Sequence, residues 1–448
     1  MTRLSAASLH RRVPCAALGL ALSMLAAGAR MAAAAPRDEV DAHFQATYIW
    51  QRKPAFGAAY SGPNSLATAA ETSYTFSATA FLGLRPAPGL ELFVNPELIQ
   101  GVPLSNLTGL GSPTNGEIQK VAGPNPKLYL PRLFLRKTWN LDGADEEVES
   151  APNQFAGTRG TNRWVLSAGK LAVVDIFDAN AYSHDARTQF LTWASLANGA
   201  YDYVADAQGY TWGAAIEYLH GAWALRYGRF AGPKESNGQS LDLRIFTFHG
   251  DQLELEHGHE IGGRPGALRL LLWANRLNMG RFGDAIELAQ RDGGTPDVAR
   301  VRRPERKWGW GLHLEQALGA NVGGFLRYGW ADGRTETYSY EEVERSAQIG
   351  AVVKGAAWGR DGDTLGLLVI RNGLSPVHRQ YLAFGGLGYF IGDGRLSYRT
   401  ERVAEAYCNL GLAPGLWLGL DLQHIRNPAY NADRGPVRVY GARLHAAY

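Results

Sequence analysis

Arginines, carboxylates and amides recur at even spacings along short segments of this chain: Glu91 with Asn95 and Glu97, Arg132 with Arg136, Glu254 with Glu256, and Asp421 with Gln423. Even spacing gathers side chains on one face when the backbone is extended, because successive residues of a strand point to opposite sides. Glu217, Arg226, Arg269 and Arg327 occupy the polar phase of further segments of the same kind. A face so composed suits recognition better than bond breaking. Each guanidinium offers five fixed donors, and carboxylates and amides accept, so neutral hydroxyl groups find partners of both kinds. Phe93, Phe325 and Trp417 share this phase, and their rings can cover the C–H side of a polyhydroxylated ring.

Other constellations are weaker. Asp175, Asp178, Asn180 and Asp185, with Arg187, cluster in one aperiodic stretch. Their oxygens are of the type that binds Ca²⁺, but Asp and Asn more simply cap turns of the backbone. On that reading the stretch is an ordered loop that folds inward and narrows a channel. His257 and His259 would share one strand face, yet no third ligand lies nearby in sequence to complete a metal site. Gly386-Leu387-Gly388 with Gly392 has the wrong spacing for a dinucleotide fingerprint, and neither a Gly-x-Ser-x-Gly elbow nor a P-loop occurs. The expectation is a protein without enzymatic activity, metal or cofactor.

The elements that must position these groups are strands. In residues 74–100, Tyr74, Phe76, Ala78, Ala80, Leu82 and Leu84 alternate with Thr75, Ser77, Thr79, Phe81, Gly83 and Arg85. Pro86-Ala87-Pro88-Gly89 then marks a turn, and Leu90, Leu92 and Val94 resume the pattern. The design repeats. Ala406, Cys408, Leu410 and Leu412 lead to Ala413-Pro414-Gly415, and Leu416, Leu418, Leu420 and Leu422 return. Leu268, Leu270 and Leu272 follow a turn at Gly262-Gly263-Arg264-Pro265-Gly266. Similar alternation marks segments 43–51, 128–140, 163–172, 209–219, 221–230, 251–261, 307–317, 321–331, 345–355, 361–371 and 436–448. Together they make about 16 strands of roughly ten residues, the length a tilted strand needs to cross a bilayer.

Segment 241–249 could be a further strand, but an even number of strands assigns it to a loop. Parity then puts short turns near Gly89, Gly221, Gly266, Gly319 and Gly415 on one side. Long connections (101–126, 173–208, 277–306, 332–344 and 372–402) fall on the other, the pattern of an outer-membrane barrel. Segment 141–162 is long for a short-side turn. The apolar phase then faces lipid and the charged phase lines the lumen, because an arginine on the lipid side near the midplane costs about 2–4 kcal/mol. The 54 glycines, 12 tryptophans, 20 tyrosines and 4 methionines fit a large β-structure with aromatic girdles.

Residues 1–34 read as a cleaved secretory signal, with Arg3, Arg11 and Arg12 before an apolar run and Ala32-Ala33-Ala34 as the cleavage context. Residues 35–448 are then the mature barrel. Without Arg3, Arg11, Arg12 and Arg30, the 45 basic residues fall one short of the 42 acidic ones. The chain's basicity therefore belongs to its leader, and nothing implies a nucleic-acid partner. Cys408 is the one cysteine left after Cys15 is removed, so no internal disulfide can form. The last strand alternates Tyr440, Ala442, Leu444, Ala446 and Tyr448 with Gly441, Arg443 and His445. An aromatic end of this kind is one that barrel-assembly machinery reads.

These residues carry a resemblance over nearly the whole mature chain. Tyr60-Ser61-Gly62-Pro63-Asn64-Ser65-Leu66, Glu91-Leu92-Phe93-Val94-Asn95-Pro96-Glu97 and Asp175-Ile176-Phe177-Asp178-Ala179-Asn180 contribute to it, as does His184-Asp185-Ala186-Arg187-Thr188-Gln189-Phe190. Arg327-Tyr328-Gly329-Trp330-Ala331-Asp332-Gly333, Trp358-Gly359-Arg360, Gly392-Asp393-Gly394 and Gln423-His424-Ile425-Arg426-Asn427-Pro428 continue it. In these the chain resembles the carbohydrate-selective porin family of Gram-negative outer membranes. Terminal Tyr448 departs from the Phe more usual in that family. The resemblance implies a 16-stranded barrel in outer-membrane lipid, exported by its signal, through which neutral sugars such as glucose diffuse passively. A general porin for other substrates is the alternative.

Overall fold

A strand in lipid can satisfy its backbone only by pairing on both edges, and a sheet that closes on itself leaves no edge. The computed structural model describes residues 39–448 and shows such a closure; the signal-peptide expectation for residues 1–34 lies outside the described residues. The first strands are β1 (Val40–Lys53), β2 (Glu71–Ala87), β3 (Leu90–Val102) and β4 (Lys127–Asn140), followed by a short pair, β5 (Asp145–Val148) and β6 (Gly157–Gly160). Then come β7 (Arg163–Leu171), β8 (Thr211–His220), β9 (Trp223–Ala231), β10 (His249–Ile261), β11 (Arg264–Met279) and β12 (Arg303–Ala317). The chain ends with β13 (Val322–Ala331), β14 (Arg345–Lys354), β15 (Thr364–Gly373), β16 (Glu401–Ala413), β17 (Leu416–Arg426) and β18 (Val437–Ala447). Sixteen of these form one antiparallel barrel closed by β1 against β18, while β5 and β6 make a separate two-stranded sheet.

Segment 241–249 contributes no full strand, although His249 begins β10. Two turns fall later or earlier than their sequence suggests. Strand β2 runs on through a register shift to Ala87, which pairs with Leu90, so the turn is Pro88-Gly89. Ile261 pairs with Arg264, leaving Gly262 and Gly263 (φ 60° and 72°) as a two-residue hairpin turn and Arg264-Pro265-Gly266 inside β11.

The outward face is apolar through its middle, with Leu253, Leu255, Leu270, Leu272, Leu367, Val369 and Leu420 exposed. Aromatic rings flank this band at both levels, as amphipathic rings prefer the two interfaces of a bilayer. Near the short turns stand Trp139, Trp164 and Trp223; near the long loops stand Trp50, Trp308 and Tyr440, all exposed. Two helices, α1 (Phe282–Asp292) and α2 (Pro376–Ala383), fold over the long-loop end and meet where Phe282 stacks on His378 at 4.1 Å.

Closure depends on the last residues. Tyr48 pairs with Leu444, Gln45 with Ala447, and Phe44 and Tyr448 exchange backbone hydrogen bonds of 2.9 and 2.8 Å. Deleting residues 444–448 leaves much of β1 unpaired in lipid, at several kcal/mol per group. The truncated protein should not accumulate as a heat-modifiable folded species on gels of the membrane fraction, and normal amounts of that species would refute the closure argument.

Candidate functional site

Segments 104–122 and 173–208 run inside the barrel rather than outside it, and the wall holds them by their backbone. Glu405 accepts from the amides of Leu191 and Thr192, and Glu401 from those of Gly111, Ser112 and Ala429. Arg327 donates to the carbonyls of Ser195 (2.8 Å) and Asp178 (3.1 Å), Gln348 to Ala194, Arg443 to Ala186 and Gln189, and Gln423 to Thr114 (2.8 Å). Gly329 permits one such approach: a β-carbon there would lie 1.7 Å from Asn198 Oδ1, while Asn198 donates to the carbonyl of Tyr328 at 2.9 Å. The second loop thus lies mainly against the inner faces of β10–β18. The first bonds β1, β16 and β17 and also β2 through Glu71, Thr75 and Ser77. Arg187 ties the second one to β2 and β3 as well. Its guanidinium donates to Thr79 (3.0 Å) and Glu97 (2.8 Å) and pairs with Glu117 at 2.9 Å. Burial opposes the Arg187 charge, but Glu117 and Glu97 hold it well above the ordinary arginine value; burial lifts the Glu117 carboxyl despite Arg187.

The short-turn side of the lumen holds a cavity beside these loops. This cavity of about 1050 Å³ is lined by the inner faces of β2, β3, β4, β7, β8 and β9, and it reaches the short turn at Pro88-Gly89. Charges at its wall interlock with others buried behind it. Arg226 meets Glu217 (2.9 Å), Glu254 (3.0 Å) and Glu256 (2.7 Å); Arg269 bridges Glu256 (2.8 Å) to Glu315 (3.1 Å). Glu91 lies between Arg85 (3.3 Å) and Arg136 (3.8 Å). Arg132 grips Asp175 with two bonds of 2.7 and 2.5 Å, which fixes the start of the inward loop beside the opening. His184, in the same lining, is pushed below its ordinary pKa by burial and then by Arg327.

The inner-face residues therefore divide. Glu91, Arg136, Glu217 and Arg226 border the cavity together with Asp175. Arg132, Glu256 and Trp417 are half-buried, and Arg269 is buried but for a small part of its side chain. Asn95, Glu97, Glu254 and Gln423 keep the inward phase yet have 0% exposure; Phe93, Phe325, Arg327 and Asp421 are also buried. These have no solvent face, because inward segments cover them. Asp175 and Arg187 of the expected loop bond the wall, and the others also order the loop itself. Asp178 (φ 57°) accepts from Asn198, Asn180 from Tyr182 and Ser183, and Asp185 from Arg187 and Thr188.

Segment 141–162 also enters the barrel from the short-turn end. Phe155 packs on Phe93 at 5.9 Å and lies under Arg85 at 4.4 Å, while the carbonyl of Asn153 accepts from Arg136 at 2.8 Å. Arg159 and Arg163 from this region join the lining. Arg85 was readable from its phase on β2; Asn153 and Phe155 have no periodicity to betray them.

Residues 63–448 match the carbohydrate-selective porin family, OprB type. The porin AaxA of Chlamydia abortus is 22% identical over 291 residues, 65% of this chain and 55% of that protein, so the match spans about half its length. The structure of OprB from Pseudomonas putida at high pH superposes with a TM-score of 0.69 at 16% identity, covering 92% of this chain and 94% of that one. The outer-membrane channel DcaP of Acinetobacter baumannii gives a TM-score of 0.51 at 9% identity, covering 92% and 99%.

Replacing Arg187 with Ala leaves the buried Glu97 and the half-buried Glu117 carboxylates without their cation, a loss of up to about 3–5 kcal/mol for a broken buried ion pair. The temperature at which the folded gel form disappears should fall, and adding Glu97→Gln and Glu117→Gln should restore part of it. An unchanged transition would show that Arg187 does not anchor the loop.

Proposed function

The chain belongs to the carbohydrate-selective porin family, and from that premise we propose that it passes neutral sugars such as glucose by passive diffusion across the outer membrane into the periplasm. The observation that supports this reading best is the lumenal cavity, where Arg136 and Arg226 interleave with Glu91 and Glu217. Charges that neutralise one another across a few ångströms leave little net field to select an ion. They still present donors and acceptors to hydroxyls, and a sugar exchanging water for these groups loses few hydrogen bonds on entry. Tyr129 and Tyr210, with ring centroids 6.0 Å apart, stand near Arg132 and offer apolar ring faces on the long-loop side of this site. The family and the fold are those of channels, and this route needs no bond-making chemistry.

In liposomes, glucose influx should exceed that of ions of similar size; the reverse order would favour a general porin. The double variant Arg132→Ala/Arg136→Ala removes two positive charges while Glu91 and Asp175 remain. Its reversal potential in a salt gradient should shift toward cation preference, and its glucose influx should fall several-fold. A folded variant unchanged in both would remove these arginines from the pathway.

The short turns face the periplasm on this reading and the long loops face outward. Cysteine at exposed Gln290, in α1, should react with an impermeant reagent on intact cells, and cysteine at exposed Ala87 should react only after the outer membrane is opened. The opposite labelling would invert the orientation.

A further inference from the structure

The barrel's outer surface carries a charged feature that the channel does not use. At the long-loop ends of β15, β16, β17, β18 and β1, Arg371, Arg402, Arg426, Arg438 and Arg52 occupy outward positions and are exposed. Register places Arg371 opposite Arg402, and Arg402 opposite Arg426. Arg438 faces His424, one outward position below Arg426 on β17, and Arg52 faces Tyr440. Like charges directly opposite across strands repel and destabilise the sheet. Among the described residues none of these five arginines has a carboxylate within 4.0 Å, whereas Arg229 on the same outer surface pairs with Asp251 at 2.7 Å. The belt is also one-sided. At their short-turn ends the outward positions of the same strands hold Leu365, Leu410, Leu418, Leu444 and Phe44.

Position along the strand indicates what can neutralise the belt. Trp50 and Tyr440 lie just below it at the aromatic level, so the guanidinium groups sit at headgroup depth. Neighbouring strands are about 4.8 Å apart, so a row of three arginines spans roughly 10 Å. Guanidinium pairs bind phosphate through parallel, charge-assisted hydrogen bonds that an ammonium cannot reproduce. A phosphate monoester carries about −1.5 to −2 at neutral pH, which can offset two adjacent arginines. The headgroup of a zwitterionic phospholipid brings its own cation.

We propose that Arg371, Arg402, Arg426 and Arg438 form a binding belt for a lipid whose headgroup presents phosphate monoesters, in the leaflet on the long-loop side. The bound lipid supplies the negative charge that the register otherwise leaves missing, and it fixes the barrel's height in that leaflet. The belt lies outside the lumen, so its occupancy is independent of sugar passage and of the orientation read above.

The full-length mature protein, purified and delipidated in neutral detergent, would be titrated with bis-phosphorylated lipid A, with the same lipid after phosphatase treatment, and with phosphatidylglycerol. Native mass spectrometry would count bound lipid. Wild-type protein should retain the phosphorylated form at least tenfold more tightly than either comparator. The triple variant Arg371→Gln/Arg402→Gln/Arg426→Gln should lose at least tenfold in that affinity, with heat-modifiable mobility and glucose influx unchanged. Replacing the three by Lys should recover only part of it, because charge returns without the bidentate geometry. Should the triple variant not fold, Arg402→Gln alone, which faces arginine on both sides, should show a several-fold loss. Equal binding of the dephosphorylated lipid, or undiminished binding by a folded variant, would overturn the proposal.

Discussion

Irregular backbone inside a barrel has neither a sheet edge nor bulk water to satisfy its amides and carbonyls, and here the wall supplies the partners from side chains. Glu401 and Glu405 accept loop amides, while Arg327, Gln348, Gln423 and Arg443 donate to loop carbonyls. Every buried backbone group must be paired somewhere, so the positions of these side chains dictate the path of segments 104–122 and 173–208. The same constraint explains why so many charged and amide groups on the inner face have no exposure. Their work is to hold the loop.

What remains open follows from where those anchors stand. Most of them stand on β10–β18, β1 and β2, so the loops cover those walls and the long-loop half of β3, while the short-turn ends of β2–β4 and β7–β9 border a cavity. Around that cavity, charges meet one another as well as backbone, Arg136 donating to the carbonyl of Asn153 and Glu254 accepting from the amide of Asp178. Arg226 is shared by three carboxylates and Glu256 by two arginines, a network in which each side chain is already ordered by its neighbours. Such a wall is polar without a strong net field. Lys120 shows how differently a cation fares under the loops: burial pushes its pKa down to about 8, against the attraction of Asp202, Asp206 and Glu341. Ring faces of Trp193, Tyr389 and Phe390 surround it at 5.6–5.9 Å.

The outer surface obeys a different solvent. Its aliphatic middle and two aromatic levels match a hydrocarbon layer with two interfaces. The arginine rows above one of those levels are tolerable at headgroup depth, where phosphate and water replace hydrocarbon. The two faces of each strand thus solve separate problems, and alternation keeps them independent: a residue changed on one face leaves the other in phase.

Much of this was legible in the sequence. A strand that has lipid on one side and a polar interior on the other must alternate at period two, and that period revealed all sixteen barrel strands to within a few residues, including the parity of short turns and long loops. The inward phase of Glu91, Asn95, Glu97, Arg132 and Arg136 followed from the same rule. The rule stops at the inner face. Glu91 and Asn95 stand four residues apart on one strand and point the same way, yet Glu91 borders the open cavity and Asn95 has no exposure. The difference comes from segments distant in sequence, whose aperiodic residues carry no phase. Nor does segment 141–162 announce that Phe155 and Asn153 will turn into the barrel's mouth. Strand alternation was determined locally, because each residue's solvent is set by its neighbours two positions away. The course of the channel was decided by tertiary structure alone, because it is the space left after buried carboxylates and guanidinium groups have bound the backbone of loops that sequence order places far from them.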